Sequence, residues 1–330
     1  MTFLQAIVIG FIQGVAELFP ISSLGHTVIV PAFIGGSWAR LVTQEARPES
    51  PYLAFVVGLH VATALALIAY FWRDWVRIIK GFLSSLTKRR AETADERAAW
   101  FVIVATIPVG IIGLVLEHPL RTVFAKPLAA ATFLTVNGLI LLGGEWLRRK
   151  GRAKAAALAA PLASVAAGPV ANNPALVGAV PNEATAVSQS APPVGADDHD
   201  PEVLAALRLR DAVIVGLAES LSLLAGISRD GICMVTGLVR GFSYEDAARF
   251  AFLLSAPPIL LAGLLKVPDL LGTLGNGIRG QVLAGSAVAF VMALVSIRFL
   301  VRYFRKNRLT PFAFYCLALG SAGIVYFAIN

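Results

Sequence analysis

The sequence predicts an all-α polytopic membrane protein built as an inverted-topology repeat, each half a re-entrant helical hairpin followed by three transmembrane helices. Three observations carry this expectation. The chain of 330 residues is 57% hydrophobic and 15% charged, with a mean hydropathy of +0.74, which is too apolar for a soluble globular domain. Six stretches are apolar over the roughly 20 residues that a bilayer crossing needs. Residues 6–27, AIVIGFIQGVAELFPISSLGHT, also recur without a gap as residues 212–233, AVIVGLAESLSLLAGISRDGIC. A repeat whose copies break near mid-membrane points to a substrate site.

The first hairpin is expected over 2–34. It shares Ala6, Gly10, Leu18, Ile21, Ser22 and Gly25 with Ala212, Gly216, Leu224, Ile227, Ser228 and Gly231 of the second, and Gln13 stands opposite Glu219. Pro20 and Gly25 interrupt the helix where polar side chains gather. Such irregular backbone is tolerated at membrane depth only where protein or a polar cavity covers it. Spans at 51–72, 98–117 and 127–147 complete a first repeat over 1–147. A cytoplasmic linker over 148–210 follows, largely disordered. Its part 151–200 is rich in Ala, Pro and Val, lacks Phe, Tyr and Trp, and is punctuated by Pro161, Pro169, Pro174, Pro181, Pro192 and Pro193. The second repeat, 211–330, opens with a hairpin over 211–241 broken at Gly226 and Gly231, then crosses at 247–267, 281–303 and 311–329. Three crossings are an odd number, so the second half begins on the opposite face. Inversion follows, and Ala54-Phe55 is echoed by Ala251-Phe252.

Loop charge orients the bundle. Arg73, Arg77, Lys80, Lys88, Arg89, Arg90 and Arg97, the seven basic residues of 148–210, and Arg305, Lys306 and Arg308 share one face. Arg40, Arg47, Arg121, Lys126 and Arg279 hold the other. The positive-inside rule makes the first face cytoplasmic and both termini external. The same distribution accounts for the net charge of +8 through membrane orientation, and nucleic acid is not an expected partner. The two cysteines, Cys233 and Cys316, suggest neither a disulfide framework nor a zinc site. Residues 1–11 lack a basic stretch, so no secretory signal is expected.

The ionisable residues of the hairpins carry the chemistry. Gln13 and Glu17, four apart, share a helix face, and Pro20 turns the chain into Ile21-Ser22-Ser23-Leu24-Gly25-His26. Serine hydroxyls and amides freed at a helix break can cradle phosphate oxygens. In the second copy Gly226-Ile227-Ser228-Arg229-Asp230-Gly231 adds a guanidinium suited to a bidentate phosphate clamp. Glu17 and Arg229 could form a plain structural pair. An ionised side chain near the bilayer centre costs roughly 2.5 to 3.5 kcal/mol, which favours a functional role. Intramembrane serine more commonly bonds its own backbone, but the repeated positions of Ser22, Ser23 and Ser228 favour substrate contact. His26 follows the glycine break and is a catalytic candidate. His60 and Asn137 read as interhelical hydrogen-bonders, and His118 and His199 carry no signal.

The stretch Gln13 to His26, with a glutamate four residues after an amide, then proline, paired serines and Gly-His, resembles the first signature of the undecaprenyl-diphosphatase family of bacitracin-resistance membrane proteins. Gly226-Ile227-Ser228-Arg229 resembles its second, and Leu59-His60 and Tyr70-Phe71-Trp72-Arg73-Asp74 fit the family as well. The resemblance implies an enzyme of the bacterial plasma membrane that removes the terminal phosphate of undecaprenyl diphosphate, regenerating the lipid carrier of cell-wall synthesis. It implies a divalent cation, Mg or Ca, with Glu17 and Asp230 as candidate ligands, and no organic cofactor. Glu17, His26 and Arg229 become the catalytic candidates; Gln13, Ser22, Ser23, Gly25, Ser228, Gly231 and Glu219 the substrate-binding ones. The expected partners are the polyprenyl diphosphate and the bilayer, with a homodimer left open. Where the family has proline, serine and threonine, this chain has Ala225, Asp230 and Cys233. The rival reading is a transporter or flippase of polyprenyl phosphate, because midplane helix breaks in an inverted repeat also mark transporters.

Overall fold

The computed structural model describes residues 1–45, 51–124, 126–166, 209–272 and 275–329. The helices in these segments are α1 (Phe3–Ala16), α2 (Ser23–Ile34), α3 (Gly36–Glu45), α4 (Pro51–Tyr70), α5 (Trp72–Lys88), α6 (Ala94–Phe124), α7 (Pro127–Ala166), α8 (Leu209–Glu219), α9 (Arg229–Val239), α10 (Tyr244–Leu271), α11 (Arg279–Phe304) and α12 (Thr310–Ile329), with a 3-10 turn at Ser220–Leu223 after α8. Six of them, α4, α6, α7, α10, α11 and α12, are long and apolar enough to cross a bilayer, and they coincide with the six expected spans. The protein is a polytopic, all-helical membrane protein.

The first expected hairpin is two short apolar helices, of 14 and 12 residues, on either side of a break at 17–22. Thr2 starts α1 with a capping box: its side chain accepts from the Gln5 amide at 3.2 Å while Gln5 Oε1 accepts from the Thr2 amide at 2.8 Å. The second segment has the same plan, α8 then the 3-10 turn, a break, and α9 capped by Ser228.

Two expectations about connections change. The stretch 73–97, expected as a loop, is helical for most of its length as the 17-residue α5. Asp74, Ile78, Gly81 and Ser85 are buried at helical spacing, while Arg73, Arg77 and Lys80 stay exposed. The basic residues expected to lie in a cytoplasmic loop are thus the polar face of an amphipathic helix. Likewise α7 does not stop near residue 147 but runs on to Ala166, into the expected linker. Ala-rich sequence favours helix wherever proline does not interrupt it. The rest of that linker, 167–208, lies outside the described residues.

The chain divides into two compact units, Met1–Glu145 with Pro201–Asn330, and Trp146–Asp200. In the second, Lys150 lies over the Trp146 ring at 5.0 Å. In the first, α4 packs on α10, α1 packs on α11 and α8 packs on α6. Glycine permits the last two contacts. A Cβ on Gly10 would collide with the Gly285 carbonyl, and one on Gly216 with the Ala105 carbonyl. The repeat-related glycines therefore do the same work at their own interfaces. A buried apolar core including Leu18, Val28, Phe101, Leu134, Phe252 and Leu300 surrounds both breaks.

Candidate active site

At the first break Gln13, in the last turn of α1, and Glu17, which caps its end, stand on one side. Gln13 Nε2 donates to Glu17 Oε2 at 2.9 Å, and the Ser23 hydroxyl donates to the same oxygen. His60 of α4 brings Nε2 to 3.4 Å from it, with its own Nδ1 held by the Val56 carbonyl at 2.9 Å. Three residues from two directions therefore fix one carboxylate oxygen. Ser22 sits at φ 68, a left-handed conformation that costs a residue other than glycine about 1 to 3 kcal/mol. Its hydroxyl offsets this by accepting two amides, Gly25 N and Gly226 N, each at 3.2 Å. One cap thus joins both breaks.

At the second break Gly226 takes φ 115. The backbone of Gly25 comes so close that a Cβ there would stand 2.9 Å from Gly226 Cα. Ser228 caps α9: its Oγ accepts from Gly231 N at 3.1 Å and approaches the Phe19 carbonyl at 3.5 Å. Arg229 extends one Nη1 to the Ser255 carbonyl at 3.4 Å and holds Nε 3.6 Å from Glu219 Oε1. That spacing is an ion pair without a hydrogen bond. Arg229 Nε, both Glu219 carboxylate oxygens and Asp230 Oδ2 are buried with no hydrogen-bond partner. Asp230 Oδ1 is taken by the Ser255 hydroxyl. Arg229 lies within electrostatic reach of Glu17, Glu219 and Asp230, and Asp230 within reach of both glutamates.

The predicted residues are thus brought together with one exception. His26 turns away: Nδ1 bonds the Ser22 carbonyl at 2.7 Å and Nε2 bonds Tyr315 Oη of α12 at 2.8 Å, with the two rings stacked 5.6 Å apart. A carbonyl only accepts, so Nδ1 carries a proton, and Nε2 shares a hydrogen bond with the Tyr315 hydroxyl. The serines also do more local work than the sequence suggested, since Ser22 and Ser228 are both helix caps.

Four residues escaped the sequence reading of the site. Asn137, buried in α7, donates to the Pro20 carbonyl at 3.0 Å and accepts from Ser228 N at 2.9 Å, so one amide spans both breaks. His60 contacts Glu17, Ser255 supports Arg229 and Asp230, and Tyr315 holds His26. His60 and Asn137 were visible as lone polar residues in apolar spans. Ser255 and Tyr315 left no such signal.

Three carboxyl groups, those of Glu17, Glu219 and Asp230, stand around one guanidinium, and Asp230 Oδ2 has no partner among them. Among the described residues, no three His, Cys, Asp or Glu side chains stand close enough to hold a metal ion on their own.

Comparison with known proteins places this arrangement. The family model described as "Bacitracin resistance protein BacA" matches residues 6–322. The chain is 55% identical over 339 residues to undecaprenyl-diphosphatase 2 of Frankia alni, covering 100% of this chain and 99% of the relative. It is 50% identical over 330 residues to an undecaprenyl-diphosphatase of Mycolicibacterium paratuberculosis, with 100% and 99% covered. It is 37% identical over 331 residues to undecaprenyl-diphosphatase 2 of Chromobacterium violaceum, with 99% of both chains covered. A match across both breaks, five candidate spans and most of the sixth leaves one assignment: the chain belongs to the BacA bacitracin-resistance family.

Proposed function

We propose that this protein is an integral membrane phosphatase that hydrolyses undecaprenyl diphosphate to undecaprenyl phosphate and inorganic phosphate, recycling the lipid carrier of the bacterial cell wall. One observation carries the reading. At the meeting of two helix breaks, a buried guanidinium nitrogen is left without a hydrogen bond beside a carboxylate that is already oriented. Buried polar groups without partners are rare and costly, and a phosphate bound there would satisfy Arg229.

Arg229 grips the terminal phosphate and offsets charge in the transition state. Gln13, Ser23 and His60 hold Glu17, which takes a proton from the attacking water. The water oxygen bonds to the terminal phosphorus, the bridging P–O bond breaks, and undecaprenyl phosphate leaves. His26 is the other candidate nucleophile, but both its ring nitrogens are engaged and its Nε2 would first have to part from Tyr315. The geometry therefore favours water. Gly25, Gly231, Ser22 and Ser228 shape the phosphate-facing backbone through their caps. A divalent cation, Mg or Ca, belongs to this reading and is supported by the buried Asp230 Oδ2, which has no hydrogen-bond partner. Glu17 or Asp230 would hold it jointly with substrate oxygens, the usual arrangement for magnesium with phosphates, and it would supply neutralising charge.

The inverted repeat with re-entrant hairpins is part of this proposal. It is supported by the exchange of partners between halves: α1 lies on α11 and α8 on α6, each through a repeat-related glycine. Both termini lie outside the plasma membrane in this reading, which the distribution of loop charge supports. In intact cells Arg90→Cys should resist a membrane-impermeant thiol reagent and Asn276→Cys should react, and the reverse pattern would invert the orientation.

Release of inorganic phosphate from a long-chain polyprenyl diphosphate by the purified chain in detergent tests the activity. Absence of release, with vectorial movement of polyprenyl phosphate in sealed vesicles, would mean a transporter instead.

A further inference from the structure

The cytoplasmic-side end of α11 holds an arrangement that hydrolysis does not use. Val295, Arg298, Phe299, Arg302, Tyr303 and Asn307 line a pocket of about 490 Å³. Its charged members are Arg298 and Arg302, one helical turn apart, both exposed and neither hydrogen-bonded nor ion-paired among the described residues. Their neighbour Arg305 behaves differently, pairing with Glu245 at 3.0 Å. Like charges at this helical spacing repel. Arg298 also lies six residues before the helix end at Phe304, about 9 Å inside it at ~1.5 Å per residue. An unpaired guanidinium at that depth in a spanning helix is costly, and no carboxylate lines the pocket to relieve it.

We propose that Arg298 and Arg302 form a binding site for the phosphate headgroup of a membrane lipid. A phosphate between two guanidinium forks replaces their repulsion with bidentate hydrogen bonds. Exposed Phe299 and Val295 flank the arginines and give the lipid's apolar part a surface. Basic pockets beside transmembrane helices on the cytoplasmic side suit anionic headgroups for the same reason. Arginine serving only as a topological anchor would need no pocket and no paired spacing. The pocket wall also reaches the first break: Phe299 stacks on Phe19 with ring centroids 5.9 Å apart, and Tyr303 stacks on Phe299 at 5.7 Å. Lipid seated there would brace the segment that carries Glu17.

Native mass spectrometry of the full chain, released from bilayer discs of phosphatidylcholine with phosphatidylglycerol, reads this directly. The wild type should retain one phosphatidylglycerol in preference to phosphatidylcholine. Arg298→Gln with Arg302→Gln should lower that retention about tenfold or more, with Arg298→Gln alone as the milder variant should the pair fail to fold. Arg298→Lys with Arg302→Lys should fall between, because charge stays and the fork is lost. Added polyprenyl phosphate that displaces the phospholipid would identify the polyprenyl lipid as the occupant, and failure to displace would identify the phospholipid. Equal retention of both phospholipids by the wild type, unchanged retention in the double glutamine variant, or displacement by inorganic phosphate alone would overturn the proposal.

Discussion

The two breaks share a sequence pattern and differ in how far their polar atoms are satisfied. At the first, Glu17 receives Gln13 and Ser23 and faces His60, and Ser22 accepts two amides. At the second, both Glu219 oxygens, Asp230 Oδ2 and Arg229 Nε stay without hydrogen bonds although all are buried. Among the described residues of the first break only Gln13 Oε1 is buried without a partner, and a network so nearly complete holds one geometry. An unfinished one of this cost is stable only if something else completes it. In the proposed hydrolysis this difference would divide the labour: the first break would orient the group that acts, and the second would keep its hydrogen-bonding capacity for the substrate.

The largest effect should come from Arg229 at the unfinished side. Arg229→Lys keeps the charge and loses the fork, and turnover should fall roughly 10² to 10³-fold, the scale of removing one transition-state donor, with membrane insertion unchanged. The exchanged pair Glu17→Arg with Arg229→Glu should stay inactive; recovered phosphate release there would reduce the two to a structural ion pair.

Glu17→Gln on the finished side should lower turnover by a similar factor and leave binding of polyprenyl diphosphate measurable, because Arg229 still meets the phosphates. Loss of binding with turnover per bound substrate intact would reverse the division of labour. Asp230→Asn removes a carboxylate with an unused oxygen. It should raise the concentration of divalent cation needed for half-maximal phosphate release by about tenfold, and an unchanged metal requirement would take Asp230 out of the cation reading.

Asn137 ties the two sides together. Asn137→Leu leaves the Ser228 amide and the Pro20 carbonyl unsatisfied, at about 1 to 3 kcal/mol each, so thermal unfolding in detergent should drop markedly and turnover with it. The smallest effect should be at the caps. Ser22→Ala should cost about 1 kcal/mol, as other cap losses do, with most activity retained, since Ser23 rather than Ser22 contacts Glu17. A loss of turnover beyond that explained by stability would give the Ser22 hydroxyl a direct role on substrate.

The membrane class, the six spans and the pairing of the two broken segments were legible in the sequence, because hydropathy and an ungapped repeat are properties of the chain order itself. So was the clustering of Gln13, Glu17 and Arg229, since charge inside an apolar run is too costly to be scattered at random. The helical nature of 72–88 was less legible, because its basic residues suggested a loop while its buried face depended on α6 and on Arg249 of α10 meeting Asp74 at 2.6 Å.

Only the tertiary structure decided the roles of individual polar atoms. Whether the Ser22 hydroxyl also takes the Gly226 amide, whether His26 meets Glu17 or Tyr315, and whether Asn137 serves one neighbour or two depend on partners 91 to 289 positions away in the chain. Local propensity carries no information about such distant neighbours. The direction a side chain takes at a helix break is fixed by which donors and acceptors the packed helices present to it, and that choice exists only once the bundle has closed.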